Sequence, residues 1–260
     1  MIPIPVNRFK RRLMEGDRQV GLFMALADPY VAEIAAGAGF DWLMIDGEHG
    51  PNDIRSILRQ LQVLAAYDMP ALVRPPMDAP WMIKQLLDIG AQTLLVPMVE
   101  TADQAARIVA AAQYPPAGIR GVGGTLARAS RWNAVPDYLR QADSQICVIV
   151  QVETRKALSN IEAIAQVRGV DAIFVGPSDL AADMGKIGEP GHPEVWREVE
   201  SAIGRIVGCH KRAGVFAADK GMAERAFDLG CSFVAVGSDA ALFSQGVRSQ
   251  AERFRSLTAR

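Results

Sequence analysis

The sequence contains little cysteine or histidine, with three of each among 260 residues. Cys147, Cys209 and Cys231 are far apart and lie in apolar surroundings, which favours reduced core thiols over a disulfide framework or a zinc site. No apolar run reaches the roughly 18 residues that a transmembrane helix needs, and the first residues lack the apolar stretch of a signal peptide. These absences predict a cytoplasmic protein.

The chain also lacks a charge bias, since its formal net charge is −1. A balanced charge excludes the broad basic field that attracts nucleic acid or an anionic membrane. One basic cluster, at residues 8–12, lies beside Glu15 and Asp17 and has no interleaved aromatic residues, so we interpret it as a solvated helix face. We therefore expect small molecules as partners, and neither nucleic acid nor membrane.

Short β-rich apolar runs alternate with amphipathic stretches along the whole chain. The predicted strands span residues 20–26, 42–46, 71–73, 93–97, 147–152, 172–175, 214–217 and 233–236. The amphipathic stretches between them include residues 53–66, 101–112, 154–167, 193–212 and 222–229. Eight strands separated by helices, in a chain of this length, predict a single (β/α)8 barrel domain over residues 1–260.

The gap between residues 114 and 146 interrupts this alternation. It contains Pro115-Pro116 and a glycine-rich run at residues 118–124. The glycine spacing matches neither the Rossmann nor the P-loop motif in a strand–turn–helix context. Since long loops between strand and helix often serve function, we expect a flexible lid or backbone close to a neighbouring subunit.

Two acidic residues follow neighbouring predicted strands. Glu153 comes directly after residues 147–152, and Asp179 follows residues 172–175 and the Gly176-Pro177-Ser178 turn. In a barrel the residues just past the carboxyl ends of strands face the active site, so the two carboxylates are expected to converge. A carboxylate pair with room for water and substrate suits Mg²⁺ or Mn²⁺. The alternative is that each acid only caps the following helix.

Other strand ends add a basic residue and a histidine. Arg74 ends the third strand, where it could recognise a carboxylate or enolate oxygen, or simply pair with Asp46 or Glu48. Asp46 precedes His49 by three residues, which is close enough to orient the imidazole as a general base. We interpret Glu48, like Glu100 after the fourth strand, as a supporting partner or a bystander.

This combination of residue types limits the chemistry that the site can perform. A divalent metal, an arginine and a histidine base, without a strand-end serine or cysteine nucleophile, favour enolate chemistry on a small keto acid. Aldol cleavage and aldol condensation both need the negative charge of such an enolate to be stabilised. We also expect Gln151 and Phe216, at the ends of the fifth and seventh strands, to face the substrate.

Several ordered motifs, spread from about residue 21 to residue 243, together resemble the HpcH/HpaI aldolases. The motifs that carry the resemblance are FDWLMIDGEHGP at residues 40–51, IKQLLDIGA at 83–91, LLVPMV at 94–99, YPPAGIRG at 114–121, VQVET at 150–154 and VGPSDL at 175–180. The resemblance implies a TIM barrel of the phosphoenolpyruvate/pyruvate type. It also implies a class II aldolase that reversibly cleaves 4-hydroxy-2-oxo acids to pyruvate or hydroxypyruvate and an aldehyde.

The same resemblance implies roles for individual residues. Glu153 and Asp179 would hold Mg²⁺, Mn²⁺ or Co²⁺, and Arg74 would face the keto or enolate oxygen. His49 with Asp46 would be the base. The remaining substrate contacts would come from Gln151, Gly176, Pro177, Ser178 and Phe216.

The resemblance further implies a hexamer, a trimer of dimers that exchange a C-terminal helix at residues 239–257. Phe23 and Ser178 stand where a similar member of that family has tryptophan and alanine, which leaves the acceptor aldehyde open.

Three other functions fit parts of the pattern. A class I aldolase would need a lysine near the keto carbon, and Lys220 after the seventh strand is the candidate by position. An acyl-CoA lyase of the citrate or malyl type would share the barrel and the two acids, but it would need a basic surface for coenzyme A. A metabolite-binding barrel without activity would not need so many polar groups at one rim.

Overall fold

The computed structural model describes residues 2–257. Eight parallel strands close into a barrel in the order β1 to β8, which confirms the predicted (β/α)8 architecture. The strands are β1 Gln19–Met24, β2 Trp42–Asp46, β3 Ala71–Arg74, β4 Thr93–Val96, β5 Cys147–Val152, β6 Ala172–Val175, β7 Arg212–Phe216 and β8 Cys231–Ser238.

Helices surround the barrel and precede its first strand. They are α1 Arg8–Glu15, α2 Pro29–Ala36, α3 Ile54–Ala66, α4 Pro80–Asp88, α5 Ala102–Ala112, α6 Tyr138–Gln145, α7 Arg155–Ser159, α8 Ile161–Ala165, α9 Pro177–Asp183, α10 Pro193–Gly208, α11 Lys220–Asp228 and α12 Asp239–Phe254. Short 3-10 turns occupy Arg128–Ser130 and Arg255–Leu257. Among the described residues, no helix has the length and hydropathy needed to cross a membrane.

Side chains fill the interior of the barrel, and α1 closes its N-terminal end. Phe9 of α1 contacts the rings of Trp42 and Phe233 edge-on, with centroids 6.1 and 5.4 Å away. A methyl group at Gly21 or Gly214 would overlap one of these rings. The two glycines therefore leave the space that large interior aromatic side chains need.

Two predicted features differ in the structure. The predicted helix at residues 154–167 is two short helices that meet at Asn160. The segment from Gln113 to Asp137 follows α5 and precedes α6 and β5, so it lies at the N-terminal end of the barrel. Active sites of such barrels lie at the opposite end, so this segment is not a lid over the site of its own chain, and its closeness to a neighbouring subunit stays a prediction.

This segment is tied to the barrel by a buried arginine. Arg120 stacks on Tyr114, with 4.3 Å between its guanidinium carbon and the ring centroid, and pairs with Asp88 of α4 at 2.8 Å. Ser130 accepts a hydrogen bond from the backbone N–H of Asn133 and donates to carbonyl oxygens of its own segment. The glycine-rich run is therefore part of an ordered connection between α5 and β5.

Candidate active site

The alternation of the strands determines which polar side chains reach the C-terminal mouth of the barrel. In β5, Cys147 and Ile149 belong to the interior cluster, whereas Val148 and Val150 pack against the outer helices. Side chains alternate with a period of two, so Gln151 and Glu153 continue the inward row. The same alternation directs Asp46 of β2 inward.

Arg74 forms a buried ion pair with Asp46 on the neighbouring strand. Their backbones are direct partners in the β2–β3 register, so both side chains lie on the same face. Nε and Nη2 of Arg74 donate to the two carboxylate oxygens of Asp46 at 2.9 and 2.8 Å. Nη1 lies 2.8 Å from Oε2 of Glu48. This arrangement fixes the plane of the guanidinium at the mouth of the barrel.

Asp46 is a stable anion in this setting. Burial alone would raise its pKa, but the hydrogen bonds and charge of Arg74 outweigh burial. The backbone N–H groups of Glu48 and His49 also donate to Asp46, and the pKa is lowered from its ordinary value of 3.8. Asp46 is therefore a permanent counter-ion that orients Arg74.

His49 does not have the partner that the sequence predicted. Only its backbone N–H reaches Asp46, at 3.4 Å, whereas its Nε2 lies 3.7 Å from Oε2 of Glu48. The imidazole is 65% exposed and lines the mouth of the barrel. Both carboxylate oxygens of Asp46 accept from Arg74, and within the described residues no side-chain contact joins Asp46 to His49, so the Asp46–His49 dyad stays a prediction.

Glu48 is the residue whose contribution the sequence underestimated. It lies between Arg74 and His49, with one oxygen within ion-pair distance of both side chains. Burial raises the pKa of Glu48, although Arg74 and His49 lower it. Its position one residue before a strand-end histidine was the available signal.

Glu153 is almost completely buried at the end of β5. One carboxylate oxygen accepts a hydrogen bond from Gln151, and the other accepts the backbone N–H of Met98 at 2.8 Å. The pKa of Glu153 is raised from 4.5 to about 7. Burial is the largest cause and the carboxylates of Asp179 and Glu48 also raise the pKa, whereas the hydrogen bonds from Gln151 and Met98 lower it. Such a carboxylate gains most from a cation placed beside it.

The close approach of β6 to Glu153 depends on Gly176. A Cβ atom at this position would lie 2.5 Å from Oε2 of Glu153 and 3.3 Å from Nε2 of Gln151. The backbone N–H of Gly176 already donates to the carbonyl of Val152 at 3.1 Å. Gly176 therefore provides space at the site and has no free N–H to offer a substrate.

Neither acid of the carboxylate pair is a helix cap. Thr154 is the N-cap of α7, and its hydroxyl accepts the N–H of Ala157. Asp179 lies in the first turn of α9, a helix that has no side-chain capping bond. Within residues 2–257 the Asp179 carboxylate makes no hydrogen bond or ion pair, although it raises the pKa of both Glu48 and Glu153.

These side chains surround one cavity of about 240 Å³ at the C-terminal mouth of the barrel. Its lining comprises Phe23, Ala25, Asp46, His49, Arg74, Gln151, Glu153, Phe174, Gly176, Pro177, Ser178, Asp179, Phe216 and Ser238. Phe23 packs on Phe216, with ring centroids 5.3 Å apart, and its ring lies 5.1 Å from the guanidinium carbon of Arg74. The cavity thus has an aromatic wall, formed by Phe23 and Phe216, that adjoins the guanidinium of Arg74.

Two residues considered from the sequence lie outside this cavity. Glu100 pairs with Lys156 at 2.7 Å and accepts from Thr154, so it is a bystander to the site. Lys220 begins α11, is 90% exposed and lies 3.6 Å from Glu224. Among the residues that the structure describes, no lysine lines the cavity, which disfavours a Schiff-base mechanism.

The donor set suits a hard divalent cation with an incomplete protein shell. No group of three or more histidine, cysteine or acidic residues arranged to hold a metal occurs within the described part of the chain. Glu153 and Asp179 would supply oxygen ligands from neighbouring strand ends, and the remaining positions would fall to water and substrate. Burial raises the pKa of Glu153 and the charge of Asp179 adds to this, and a cation between the two carboxylates would offset both effects.

Comparisons with known proteins agree with this geometry. The family model described as HpcH/HpaI aldolase/citrate lyase matches residues 19–246. A hydroxypyruvate/pyruvate aldolase of Pseudomonas aeruginosa is 58% identical over 252 residues, which cover 97% of this chain and 94% of that protein. A 4-hydroxy-2-oxo-heptane-1,7-dioate aldolase of Salmonella dublin is 54% identical over 248 residues, with 95% of this chain and 94% of that protein covered.

The similarity extends to solved structures. The crystal structure of an HpcH/HpaI aldolase/citrate lyase family protein from Burkholderia cenocepacia J2315 superposes with a TM-score of 0.90 at 37% sequence identity. The match covers 96% of this chain and 100% of that chain. The relatives therefore share the whole barrel, including the strand ends that form the cavity.

Proposed function

The chain belongs to the HpcH/HpaI aldolase/citrate lyase family, and from this premise we propose that it is a metal-dependent pyruvate aldolase. It reversibly cleaves 4-hydroxy-2-oxo acids into pyruvate, or hydroxypyruvate, and an aldehyde. The observation that carries the proposal is the pair Glu153 and Asp179, which face the same cavity as Arg74. Relatives at 58% and 54% identity are named as aldolases, which favours this reaction over acyl-CoA lyase chemistry.

Glu153 and Asp179 would hold the divalent metal, with Mg²⁺, Mn²⁺ and Co²⁺ as the candidates. When bound, the ion would act as a Lewis acid that stabilises negative charge on the substrate oxygens. Gln151 and the N–H of Met98 hold the Glu153 carboxylate in place through hydrogen bonds. Such supporting bonds orient a ligand before the ion arrives.

Arg74 would bind the keto oxygen and stabilise it as the enolate develops. Its orientation is fixed before substrate arrives, because Asp46 takes two of its donors and Glu48 lies against a third nitrogen. A fixed cation at the place where charge develops stabilises a transition state more than one that must move into position. Asp46 acts on the reaction through Arg74 in this proposal.

The substrate carboxylate would lie against the first turn of α9, and the acceptor aldehyde against the aromatic wall. The first N–H groups of a helix have no partner within the helix, which leaves those of Ser178 and Asp179 for an anion. Pro177 has no N–H to contribute and shapes the turn. Phe216 and Phe23 line the same cavity and offer apolar surface.

His49 is the proposed base that removes the 4-hydroxyl proton during cleavage. It is the histidine that lines the cavity, and its ring is accessible from solvent. Glu48 lies beside its Nε2 and would stabilise the imidazolium that forms. In this arrangement Glu48 has the role that the sequence assigned to Asp46.

We also propose that the protein is a homo-oligomer, as a hexamer that exchanges α12. Asp239 is the single buried residue of α12, although the helix has 16 residues. Leu242, Phe243 and Val247 are 55%, 66% and 51% exposed on this chain. A helix with so many exposed apolar side chains is suited to packing on another copy.

The cytoplasm is the compartment that we propose for this enzyme. Cys147, Cys209 and Cys231 are all free thiols, and Cys147 and Cys231 are buried. Burial raises the pKa of Cys231 to about 12 and that of Cys147 well above 9.0, so neither reacts readily as a thiolate. Buried free thiols are typical of proteins in a reducing environment.

A chelation experiment tests the proposed function. Pyruvate release from a panel of 4-hydroxy-2-oxo acids is measured after treatment with EDTA and again after adding Mg²⁺, Mn²⁺ or Co²⁺. We expect chelation to abolish cleavage and the ions to restore it, because two protein carboxylates bind such ions only moderately. Full activity in excess chelator, or trapping of a pyruvate adduct by borohydride, would contradict the proposal. The panel also identifies the preferred donor and acceptor.

A further inference from the structure

A second cavity, of about 270 Å³, opens at the N-terminal end of the barrel. It lies between the chain before α1, the connection from α3 to β3, the connection from α4 to β4, and the segment between α5 and β5. None of its lining residues lines the cavity that contains Glu153 and Asp179. The proposed active site therefore leaves this cavity without a function.

Two arginines of the α5–β5 segment line this cavity without an acidic partner. Arg128 and Arg131 form no ion pair within the described residues, and the side chain of Arg131 makes no hydrogen bond there. The cavity does contain one acid, Asp68, but it lies 3.5 Å from Arg8. The lining thus has an uncompensated positive charge.

The guanidinium of Arg128 is held in a defined position. It is partly buried, and its Nη1 donates to the carbonyl of Ile89 at 2.9 Å. A Cβ atom at Gly90 would lie 2.5 Å from this nitrogen, so the glycine leaves the space that the guanidinium fills. Both arginines line the same cavity. Burial lowers the pKa of Arg128, and the charge of Arg131 lowers it further.

The backbone that carries Arg131 has an unusual conformation. Arg131, Trp132 and Asn133 have φ values of 53°, 54° and 70°, in the left-handed region that residues other than glycine rarely adopt. Hydrogen bonds from Trp132 N–H to Ala127 and from Asn133 N–H to Ser130 hold this turn. Strain of this kind is often found where side chains are positioned for binding.

We propose that this cavity binds a small molecule through an oxyanion, a phosphate or carboxylate group, placed between Arg128 and Arg131. Guanidinium groups bind such oxygens through charge-assisted hydrogen bonds, often in pairs. The apolar side chains of Val6, Leu61 and Met69 line the same cavity and would contact a short carbon chain. Bound anion would relieve the repulsion between the two arginines.

Calorimetric titration of the full chain tests this proposal. Sulfate serves as the tetrahedral probe for a phosphate group, and succinate as the carboxylate probe. Both are titrated at constant ionic strength with Mg²⁺ present, and the Arg131→Gln variant distinguishes this cavity from the anion site near Arg74. We expect one binding site per chain, and the probe that binds more tightly identifies the anion.

Substitution of Arg131 separates this site from any other anion site. Arg131→Gln removes one guanidinium that has no hydrogen bond to lose, so the fold and the aldolase activity should remain unchanged. We expect the dissociation constant to rise about tenfold or more, since charge-assisted hydrogen bonds are lost. Arg140→Gln is the matched control, because Arg140 lies in α6 outside the cavity and is 87% exposed. The affinity of this variant for the probe should equal that of the wild type.

Arg131→Glu provides a second readout that does not need a known ligand. This substitution would place a carboxylate beside Arg128 and replace the repulsion between two cations with an attraction. The melting temperature without any probe should therefore rise, and adding sulfate or succinate should no longer change it. Failure of the wild type to bind either probe would overturn the proposal. So would wild-type affinity in Arg131→Gln, which would assign the binding to another site.

Discussion

At the scale of single residues, Glu153 and Asp46 show how the same carboxylate chemistry is adapted to two functions. Asp46 has a lowered pKa because Arg74 binds both of its oxygens. Glu153 is equally buried but has only neutral hydrogen-bond donors and two acidic neighbours, so its pKa is raised to about 7. The first is suited to orient a cation permanently, and the second to receive one.

The raised pKa of Glu153 predicts how stability depends on pH. The carboxyl group of Glu153 keeps its proton up to about pH 7 in the folded chain, whereas it releases the proton near pH 4.5 in the unfolded chain. The free energy of unfolding therefore falls as the pH rises between these two values. The fall is about 3 kcal/mol relative to Glu153→Gln, whose side chain cannot ionise. Urea unfolding of both proteins in chelator, at pH 5 and pH 8, measures this difference. A constant difference at the two pH values would show that the carboxyl is not perturbed.

His49 and Asp46 are expected to affect the reaction in different ways. His49→Ala should slow cleavage by about 10²- to 10⁴-fold, which is the usual contribution of a positioned base. Asp46→Asn should lower kcat because it disturbs the orientation of Arg74. The limb of the pH–rate profile that disappears in His49→Ala should remain unchanged in Asp46→Asn. The kcat of each variant is measured across pH. If Asp46→Asn shifts that limb, the aspartate acts on the imidazole after all.

The residues of the candidate site could be predicted from the sequence, but their partners could not. Glu153, Asp179 and Arg74 follow strands whose period of two is visible in the chain, so their convergence follows from barrel geometry. The pairing of Asp46 with Arg74 depends on the register between β2 and β3, and register is not a local property of either strand. The contact of Met98 N–H with Glu153 was invisible for the same reason.

At the scale of secondary structure elements, the close packing of β6 against β5 shapes the proposed metal site. Gly176→Ala would introduce a methyl group 2.5 Å from Oε2 of Glu153. Since the carboxylate must then move, we expect metal affinity to fall about 10- to 100-fold, as for other changes in groups that support a ligand. Gly204→Ala in α10 is the control, because nothing lies within 4 Å of its added Cβ. Equal metal affinity in both variants would exclude this role of Gly176.

The connections between elements were harder to predict than the elements. All eight strands were predicted within a few residues of their ends. The long segment after α5 was interpreted as a loop between a strand and a helix, because its glycine content indicates a functional loop without indicating which end of the barrel it occupies. The preceding element determines which end of the barrel a connection occupies, because a chain that leaves a helix returns to the N-terminal end of the next strand.

At the scale of the whole molecule, one closed barrel has a cavity at each end. The C-terminal cavity contains the carboxylate pair, Arg74 and His49, and the N-terminal cavity contains Arg128 and Arg131. The interior side chains between them, such as Phe174 and Phe233, are fully packed. The two cavities are therefore separate sites on one rigid scaffold, and substitutions in one need not disturb the other.

The central claim is that Glu153 and Asp179 hold a metal that makes the pyruvate methyl group acidic. The most direct measurement is deuterium exchange into the methyl group of pyruvate, followed by proton NMR without any aldehyde. We expect exchange in the metal-loaded protein, and none in chelator or in Glu153→Gln and Asp179→Asn at moderate metal concentration. Exchange at the wild-type rate in chelator, or in both variants, would contradict it.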